Sequence, residues 1–248
     1  MYDWPEVREA TDAWWTGIAG HLGVSIPLNR DPGHVAAWRR PDLYFSQTCG
    51  YPFTHEVKNW LKLVATPHYG VDGCEGPNYT SIVFAREQRP LAAFRGSRAA
   101  FSSPDSMSGM LALQLVFTPA SDSGTFFAEA IESGGHINSM QAVREGRADV
   151  CAIDAVCVGL ARRYRPDYLE GMVEIARSPL VPGLPYVTKI GAPEILRAGL
   201  AAAFADPFLQ GVRDQLFLTG YSVLDARAYD RITLLETDMQ RAGGPRFR

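Results

Sequence analysis

The sequence contains a short hydroxyl-rich loop, Asp105-Ser106-Met107-Ser108-Gly109, between two regular elements. The apolar run at residues 98–101 predicts a strand before it, and the periodicity over residues 108–117 predicts a helix after it. The first N–H groups of a helix have no intrahelical partner and carry partial positive charge, so neighbouring hydroxyls and Gly109 would complete an anion site. Ordinary N-capping explains this loop equally simply and, taken alone, is the favoured interpretation.

A second loop of the same kind follows, Ser133-Gly134-Gly135-His136-Ile137-Asn138-Ser139. It lies between a predicted strand at 126–131 and a predicted helix at 138–145, which places His136 and Ser139 near the first turn. A lone histidine is more often structural than a ligand contact. In a parallel sheet, however, both loops emerge at the carboxyl ends of the strands, where ligands collect. Two neighbouring loops of this type therefore favour a binding site.

Asp154 ends a third apolar run, residues 150–153, and precedes a predicted helix at 155–164. Its carboxylate would accept a proton from a protonated ligand oxygen or an ammonium group. The alternative is an N-cap for the following helix, and the sequence gives the two interpretations equal weight.

Polar residues also follow an earlier predicted strand, Leu43-Tyr44-Phe45. Gln47 and Thr48 offer hydrogen-bond donors, and Tyr51 offers an aromatic wall with a hydroxyl. Tyr79 adds a second such hydroxyl, which we expect in the same lobe. Tyrosines in loops are common surface residues, so neither tyrosine is specific by itself.

The remaining pattern is an alternation of short apolar runs with helices, which predicts an α/β fold with parallel sheets. From Pro193 onward the pattern is mainly helical, and residues 244–248 are expected to fray. The additional predicted strands are 61–65 and 81–85, and the additional predicted helices are 5–22, 194–205, 207–217 and 225–241.

Two stretches are candidates for crossings between lobes. Arg86-Glu87-Gln88-Arg89-Pro90 is polar, and three prolines in Ser178-Pro179-Leu180-Val181-Pro182-Gly183-Leu184-Pro185 enforce extended chain. They predict one lobe made of residues 1–88 and 180–248, and an inserted lobe of residues 89–179. Two linkers between two α/β lobes would form a hinge around a closable cleft.

Composition narrows the function. The chain has 248 residues, 46% of them hydrophobic, and a formal net charge of −3, which argues against nucleic-acid binding. No apolar stretch is long enough to span a membrane, and the first residues do not form an export signal, so the chain is cytoplasmic or lacks its leader.

The four cysteines show no metal-site spacing: Cys49 and Cys74 form a bridge, or all four are thiols. We expect no metal, no cofactor and a monomer.

Enzyme signatures are absent from the sequence. It has no zinc-protease pattern after His55-Glu56, no nucleophile elbow, no Gly-Lys-Ser/Thr phosphate loop and no dinucleotide fingerprint. Ser, His and Asp do occur at the predicted edge, so residue types alone leave a hydrolytic triad open. Clustered hydroxyls suit one multiply hydrogen-bonded anion better than a single nucleophile.

Together, the runs at 47–52, 105–109, 133–139 and 146–154 resemble, in matching order, the phosphate/phosphite/phosphonate-binding components of ABC importers. The resemblance extends from Tyr2 to about Thr188. It implies a type II periplasmic binding protein: two lobes, each a mainly parallel sheet flanked by helices, joined by two crossing strands. It also implies a small oxyanion ligand, importer membrane subunits as partners, a periplasmic location and no enzymatic activity.

The resemblance also implies roles for individual residues. Ser106, Ser108, His136 and Tyr51 would hold the ligand oxygens, and Asp154 would face a substituent on phosphorus. Val181-Pro182-Gly183 stands where relatives that bind aminoalkyl phosphonates have a second acidic residue, so such a ligand is not expected. The full predicted ligand site comprises Gln47, Thr48, Tyr51, Tyr79, Ser106, Met107, Ser108, Gly109, His136, Ser139 and Asp154.

Two other functions remain open at this point. A cytoplasmic oxyanion sensor or interaction module on the same fold would explain the missing export signal. A small hydrolase or transferase would use His136 and Ser106, with only their residue types in its favour.

Overall fold

The computed structural model describes residues 1–30, 33–122 and 124–247, which form two compact units. Unit 1 contains Met1–Gly70, Cys74–Asn78 and Pro182–Tyr229. Unit 2 contains Val71–Gly73, Tyr79–Val181 and the chain from Asp230 onward.

Unit 1 is built on a four-stranded sheet in the order Ser46–Gln47, Tyr186–Thr188, Lys62–Tyr69, Leu218–Ser222. Each neighbouring pair in this sheet is antiparallel. The helices Arg8–Leu22 and Pro193–Ala205 bury their apolar faces against it, because their apolar residues recur every three or four positions. The resulting core includes Trp14, Ile18, Val64, Leu196 and Leu200.

Unit 2 is built on a five-stranded sheet in the order Glu129–Glu132, Arg98–Phe101, Val150–Asp154, Ser81–Ala85, Val173–Arg177. The first three strands are parallel to one another, and the last two add antiparallel pairs. Both central strands, Val150–Asp154 and Ser81–Ala85, are buried along their whole length, as expected for strands covered on both faces. The helices of this sheet are Ala112–Phe117, His136–Arg144 and Ala155–Tyr164. A π-helical turn at Met107–Leu111 precedes Ala112–Phe117.

Apart from the helix Asp230–Arg241, the other elements are short. Further α-helices are His34–Trp38, Gly50–Pro52, Gln210–Gln215 and Asp230–Arg241, with a π-helical turn at Phe53–Val57. Short strands are Cys74–Glu75, Asn78–Tyr79 and Val181–Pro182. Turns of 3-10 helix are Pro5–Val7, Leu91–Phe94, Thr118–Ala120, Pro166–Leu169, Pro207–Leu209 and Ala226–Tyr229.

Several predicted elements have the expected bounds: the strands Ser81–Ala85 and Arg98–Phe101 and the helix Ala155–Tyr164. Residues 43–45 do not form a strand, and pairing begins instead at Ser46–Gln47. The strand predicted at 126–131 is shifted to Glu129–Glu132, because Phe126 and Phe127 pack in an aromatic cluster.

The strand pairing differs from the expected mainly parallel sheet in each lobe. Unit 1 has antiparallel pairs, and unit 2 is mixed. The alternation of apolar runs with helices indicated the strands but not their partners. Ser81–Ala85, for example, pairs with strands that come much later in the sequence, Val150–Asp154 and Val173–Arg177.

The boundaries of the units also differ from those predicted for the lobes. Because Ser81–Ala85 pairs inside the sheet of unit 2, residues 86–90 follow a strand of that unit and are not a crossing. The chain from Asp230 onward likewise belongs to unit 2, although residues 180–248 were assigned to lobe 1. The proline-rich stretch does contain a change of unit, between Val181 and Pro182.

The end of the described chain is packed and does not fray. Gly244 N donates to Met239 O over 2.9 Å, and Gln114 Nε2 donates to Pro245 O over 2.8 Å. Arg248, which completes the predicted tail, lies outside the described residues.

Cys49, Cys74, Cys151 and Cys157 are all thiols, so the predicted alternative of a Cys49–Cys74 bridge is not realised. Within residues 1–30, 33–122 and 124–247, no helix has both the length and the apolar character needed to cross a bilayer.

Candidate functional site

Three strands of unit 2 end at one edge of its sheet. Arg98–Phe101 runs parallel both to Glu129–Glu132 and to Val150–Asp154. Their carboxyl ends therefore lie side by side, and the polar loops that follow them are neighbours. These loops carry most of the predicted ligand residues.

The two hydroxyl-rich loops meet through Ser108 and His136. Ser108 lies in the first helical turn after one loop, and His136 begins the helix His136–Arg144 after the other. Their Oγ and Nε2 atoms are 2.8 Å apart, within hydrogen-bonding distance. The predicted proximity of the two loops is therefore a feature of the structure.

The first loop is shaped by Ser106, which is the N-cap of the helical segment. Its Oγ accepts a hydrogen bond from Gly109 N over 2.9 Å, and its carbonyl accepts one from Leu111 N over 3.0 Å. That second bond spans five residues and makes the first turn π-helical, a geometry often found at functional sites. The side chain of Met107 is buried in unit 2.

Position 109 requires glycine because the backbone of Ser102 lies close to it. A Cβ atom at this position would lie 2.9 Å from Ser102 N and 3.1 Å from Ser106 Oγ, and it would also collide with Ser102 Oγ. Ser102 is the first residue after the strand Arg98–Phe101, so the helix start packs directly on the strand end.

The second loop is held by Ser133, which follows the strand Glu129–Glu132. Ser133 Oγ lies 2.7 Å from Ser139 Oγ, and Ser133 N donates to Phe101 O over 2.8 Å. Gly134 N donates to Ser102 O over 2.9 Å, and Gly134 has φ +81°, which favours glycine. Backbone hydrogen bonds thus tie the second loop to the start of the first.

His136 is neutral at physiological pH. Burial lowers the pKa of its imidazole to about 4, although the nearby backbone of Ala152 acts in the opposite direction. Nδ1 is buried and has no hydrogen-bond partner of good geometry in the described part of the chain. The ring is therefore a neutral hydrogen-bonding group and not a cation.

Asp154 is buried, with 1% of its surface exposed, at the end of the strand Val150–Asp154. Its Oδ1 accepts a hydrogen bond from Val156 N over 2.7 Å, so it is the N-cap of the helix Ala155–Tyr164. The capping alternative is therefore realised. Its second predicted role, toward a ligand substituent, stays a prediction.

The sequence reasoning missed other polar residues at this edge. Ser178 follows the strand Val173–Arg177, and its Oγ accepts from Ser81 N over 2.9 Å and lies 3.2 Å from Thr80 Oγ1. Ser102 directly follows a strand, and this position could have identified it in the sequence. Ser133 was recognised as part of the second loop but was not among the predicted ligand residues. The antiparallel pairing that brings Thr80 and Ser178 to the same edge could not be read from local pattern.

The remaining predicted ligand residues lie outside the loops that follow the three parallel strands. In unit 1, Gln47 Nε2 donates to Tyr69 Oη and to Leu184 O, and Thr48 is fully buried. Tyr51, also in unit 1, stacks on His55 with ring centroids 3.9 Å apart. Tyr79 is 3% exposed and belongs to unit 2, not to the lobe of Tyr51 as predicted.

The family model described as ABC transporter, phosphonate, periplasmic substrate-binding protein matches residues 37–229. A search of curated proteins finds no match.

Solved structures resemble the chain over most of its length. A binding protein component of an ABC phosphonate transporter from Pseudomonas aeruginosa superposes with a TM-score of 0.77 at 18% identity, covering 94% of this chain and 83% of that one. PhnD1 from Prochlorococcus marinus, in complex with methylphosphonate, has a TM-score of 0.73 at 14% identity and covers 94% of both chains. A Xanthomonas citri protein bound to ATP has a TM-score of 0.68 at 19% identity, covering 94% and 92%. At these identities the likeness concerns the fold.

Proposed function

The chain belongs to the family of periplasmic substrate-binding proteins of phosphonate ABC transporters, and on that premise we propose that it binds a small phosphorus oxyanion at the strand ends of unit 2. Its fold is that of the type II periplasmic binding proteins. The family model describes substrate-binding proteins of a transporter, so we expect this chain to bind its ligand without transforming it.

One observation carries the proposal: the hydrogen-bonding contact between Ser108 Oγ and His136 Nε2. It places two loops that each begin a helix around one point. Each helix start offers backbone N–H groups that lack intrahelical partners, and each loop adds serine hydroxyls. A tetrahedral oxyanion has several oxygens to satisfy, and this arrangement concentrates donors for them.

The proposed site attracts the anion through neutral groups. Ser106, Ser108 and Ser139 are uncharged, and His136 is neutral because burial depresses its pKa. An anion removed from water is costly unless its oxygens are hydrogen-bonded, and such charge-assisted bonds are stronger than neutral ones. Affinity would therefore depend on the number and geometry of donors, so single donor substitutions should weaken binding measurably.

Among phosphorus oxyanions we favour a phosphonate over phosphate or phosphite. The family model is that of phosphonate-binding proteins, and PhnD1 of similar fold was solved with methylphosphonate. Asp154 would then accept a hydrogen bond from a protonated ligand oxygen, and Tyr79 of the same unit would supply a further contact. Gln47, Thr48 and Tyr51 of unit 1 stay predicted ligand residues. The protein would deliver the ligand to the membrane subunits of an ABC importer from the periplasm.

Thermal unfolding with a panel of anions tests the proposal. Methylphosphonate, phosphite, phosphate and sulfate are each added to the full chain at neutral pH, and the melting temperature is recorded. A ligand present at 100 times its Kd stabilises the native state by about 2.7 kcal/mol, which should raise the melting temperature by several degrees. We expect this shift for methylphosphonate and a smaller one for sulfate. If no phosphorus oxyanion raises the melting temperature, the proposed function is wrong.

A further inference from the structure

The C-terminal segment Gly244–Phe247 is fastened to unit 2 by several independent contacts. Arg246 N donates to Gly124 O over 2.8 Å, and just before the segment Gly243 O accepts from Ser121 Oγ over 2.9 Å. Gly244 and Pro245 are buried. These hydrogen bonds hold the segment in one position against particular elements of unit 2.

One of these elements is the strand that leads into the first loop. The ring of Phe247 packs against the ring of Phe101, with centroids 5.1 Å apart, and against Phe127 at 5.9 Å. Phe101 is the last residue of the strand Arg98–Phe101. Its carbonyl oxygen accepts hydrogen bonds from both the backbone nitrogen and the hydroxyl of Ser133, so Phe101 holds the second loop as well.

The other element is the helix that leaves the first loop. Gln114, a buried residue of Ala112–Phe117, donates from Nε2 to Pro245 O over 2.8 Å. The hydroxyl-rich loop therefore lies between two contacts of the same tail, one on the strand before it and one on the helix after it. Gly109 packs on Ser102 with no space for a side chain, so a small displacement of either element would move the loop donors.

We infer that Gly244–Phe247 is a positioning element for the oxyanion loop, with Phe247 and the Gln114–Pro245 hydrogen bond fixing the distance between the strand end and the helix start. The inference rests on the proposed function for the identity of the ligand, but the positioning itself is a property of unit 2. Binding groups must be held to within a fraction of an ångström, so loosening this support should lower affinity without removing any donor.

The test compares Phe247→Ala with Phe247→Leu, which restores most of the apolar contact. Phe208→Ala is the matched control, because it removes a phenyl ring that is 93% exposed in unit 1. Calorimetric titration with methylphosphonate should show a roughly 5- to 10-fold weaker Kd for Phe247→Ala. Phe247→Leu and Phe208→Ala should bind about as the unmodified protein does.

Amide hydrogen exchange tests the positioning role a second time, without a ligand. The amides of Ser133 and Gly134 donate to Phe101 O and Ser102 O, so they should exchange faster in Phe247→Ala and be restored in Phe247→Leu. If Phe247→Ala does not fold, Gln114→Leu replaces it, because this substitution removes the hydrogen bond to Pro245 O. Calorimetric titration and hydrogen exchange are then measured on Gln114→Leu.

The results distinguish a failure of the positioning role from a failure of the proposed function. If the unmodified protein binds methylphosphonate and Phe247→Ala binds it equally well with unchanged exchange at Ser133 and Gly134, the positioning role is overturned. If the unmodified protein binds no phosphorus oxyanion, the proposed function fails, and the exchange rates alone decide whether the tail positions the loop.

Discussion

Ser108 Oγ lies 2.8 Å from His136 Nε2, although 28 positions separate the two residues. Each lies at the start of a helix that follows a strand of unit 2, and the two strands are parallel neighbours. A pair of residues in this position brings two sets of helix-start amides to one place. The candidate site depends on this relationship.

Replacing Ser108 with alanine should weaken methylphosphonate binding roughly 10- to 100-fold, because a hydrogen bond to a charged group contributes about 1.5–3 kcal/mol. The fold should persist, since the substitution only removes a hydroxyl. Calorimetric titration measures the affinity, and Ser97→Ala is the control. Ser97 Oγ donates to Phe94 O outside the loops, so equal affinity losses in both variants would contradict the assignment.

His136 should make stability depend on pH. Burial lowers its pKa to about 4 in the folded protein, whereas an unfolded chain binds the proton near pH 6.5. As pH falls from 6.5 to 4, the unfolded state takes up more protons, so the free energy of unfolding should decrease, by at most roughly 3 kcal/mol. Urea unfolding at neutral pH and at about pH 4.5 measures this loss, and His136→Gln should lose less. Equal losses in the two proteins would mean that His136 is not buried as a neutral ring.

Gly109→Ala should destabilise the protein by about 1–3 kcal/mol and weaken ligand binding, because the new methyl group meets the backbone of Ser102. Gly135→Ala is the control in the second loop, since a Cβ atom there has no neighbour within 4 Å. Urea unfolding of both variants checks the contrast. A Gly109→Ala protein as stable as Gly135→Ala would show that the helix start does not press on the strand end.

Asp154→Asn separates the two roles considered for this residue. Asparagine keeps an oxygen that can accept from Val156 N, so the N-cap and the melting temperature should be nearly preserved. Affinity for methylphosphonate should fall roughly 10-fold if the carboxylate also accepts a proton from the ligand. Unchanged affinity with unchanged stability would leave Asp154 as a helix cap alone.

The proximity of the two hydroxyl-rich loops was predictable from the sequence, because it depends on local pattern. Ser106, Ser108 and His136 each lie just after an apolar run and at a helix start, and neighbouring parallel strands bring such positions together. The same reasoning recovered the strand Ser81–Ala85 and the helix Ala155–Tyr164 within their observed bounds.

The features that could not be predicted depend on contacts between residues that are far apart in the sequence. Ser81–Ala85 was placed in the wrong half of the protein, because its pairing with Val150–Asp154 is not encoded in its own pattern. Residues 244–248 were expected to fray as a chain end, whereas Phe247 packs on Phe101, far away in sequence. Ser178 likewise reaches the sheet edge only through an antiparallel pairing.

A crystal structure of the full chain grown with methylphosphonate tests the central claim most directly. The account predicts phosphonate oxygens within hydrogen-bonding distance of Ser108 Oγ and of backbone amides between residues 106 and 109, with His136 in contact with the same ligand. A phosphonate bound away from residues 106–109 and 136–139, with the Ser108–His136 pair undisturbed, would contradict it.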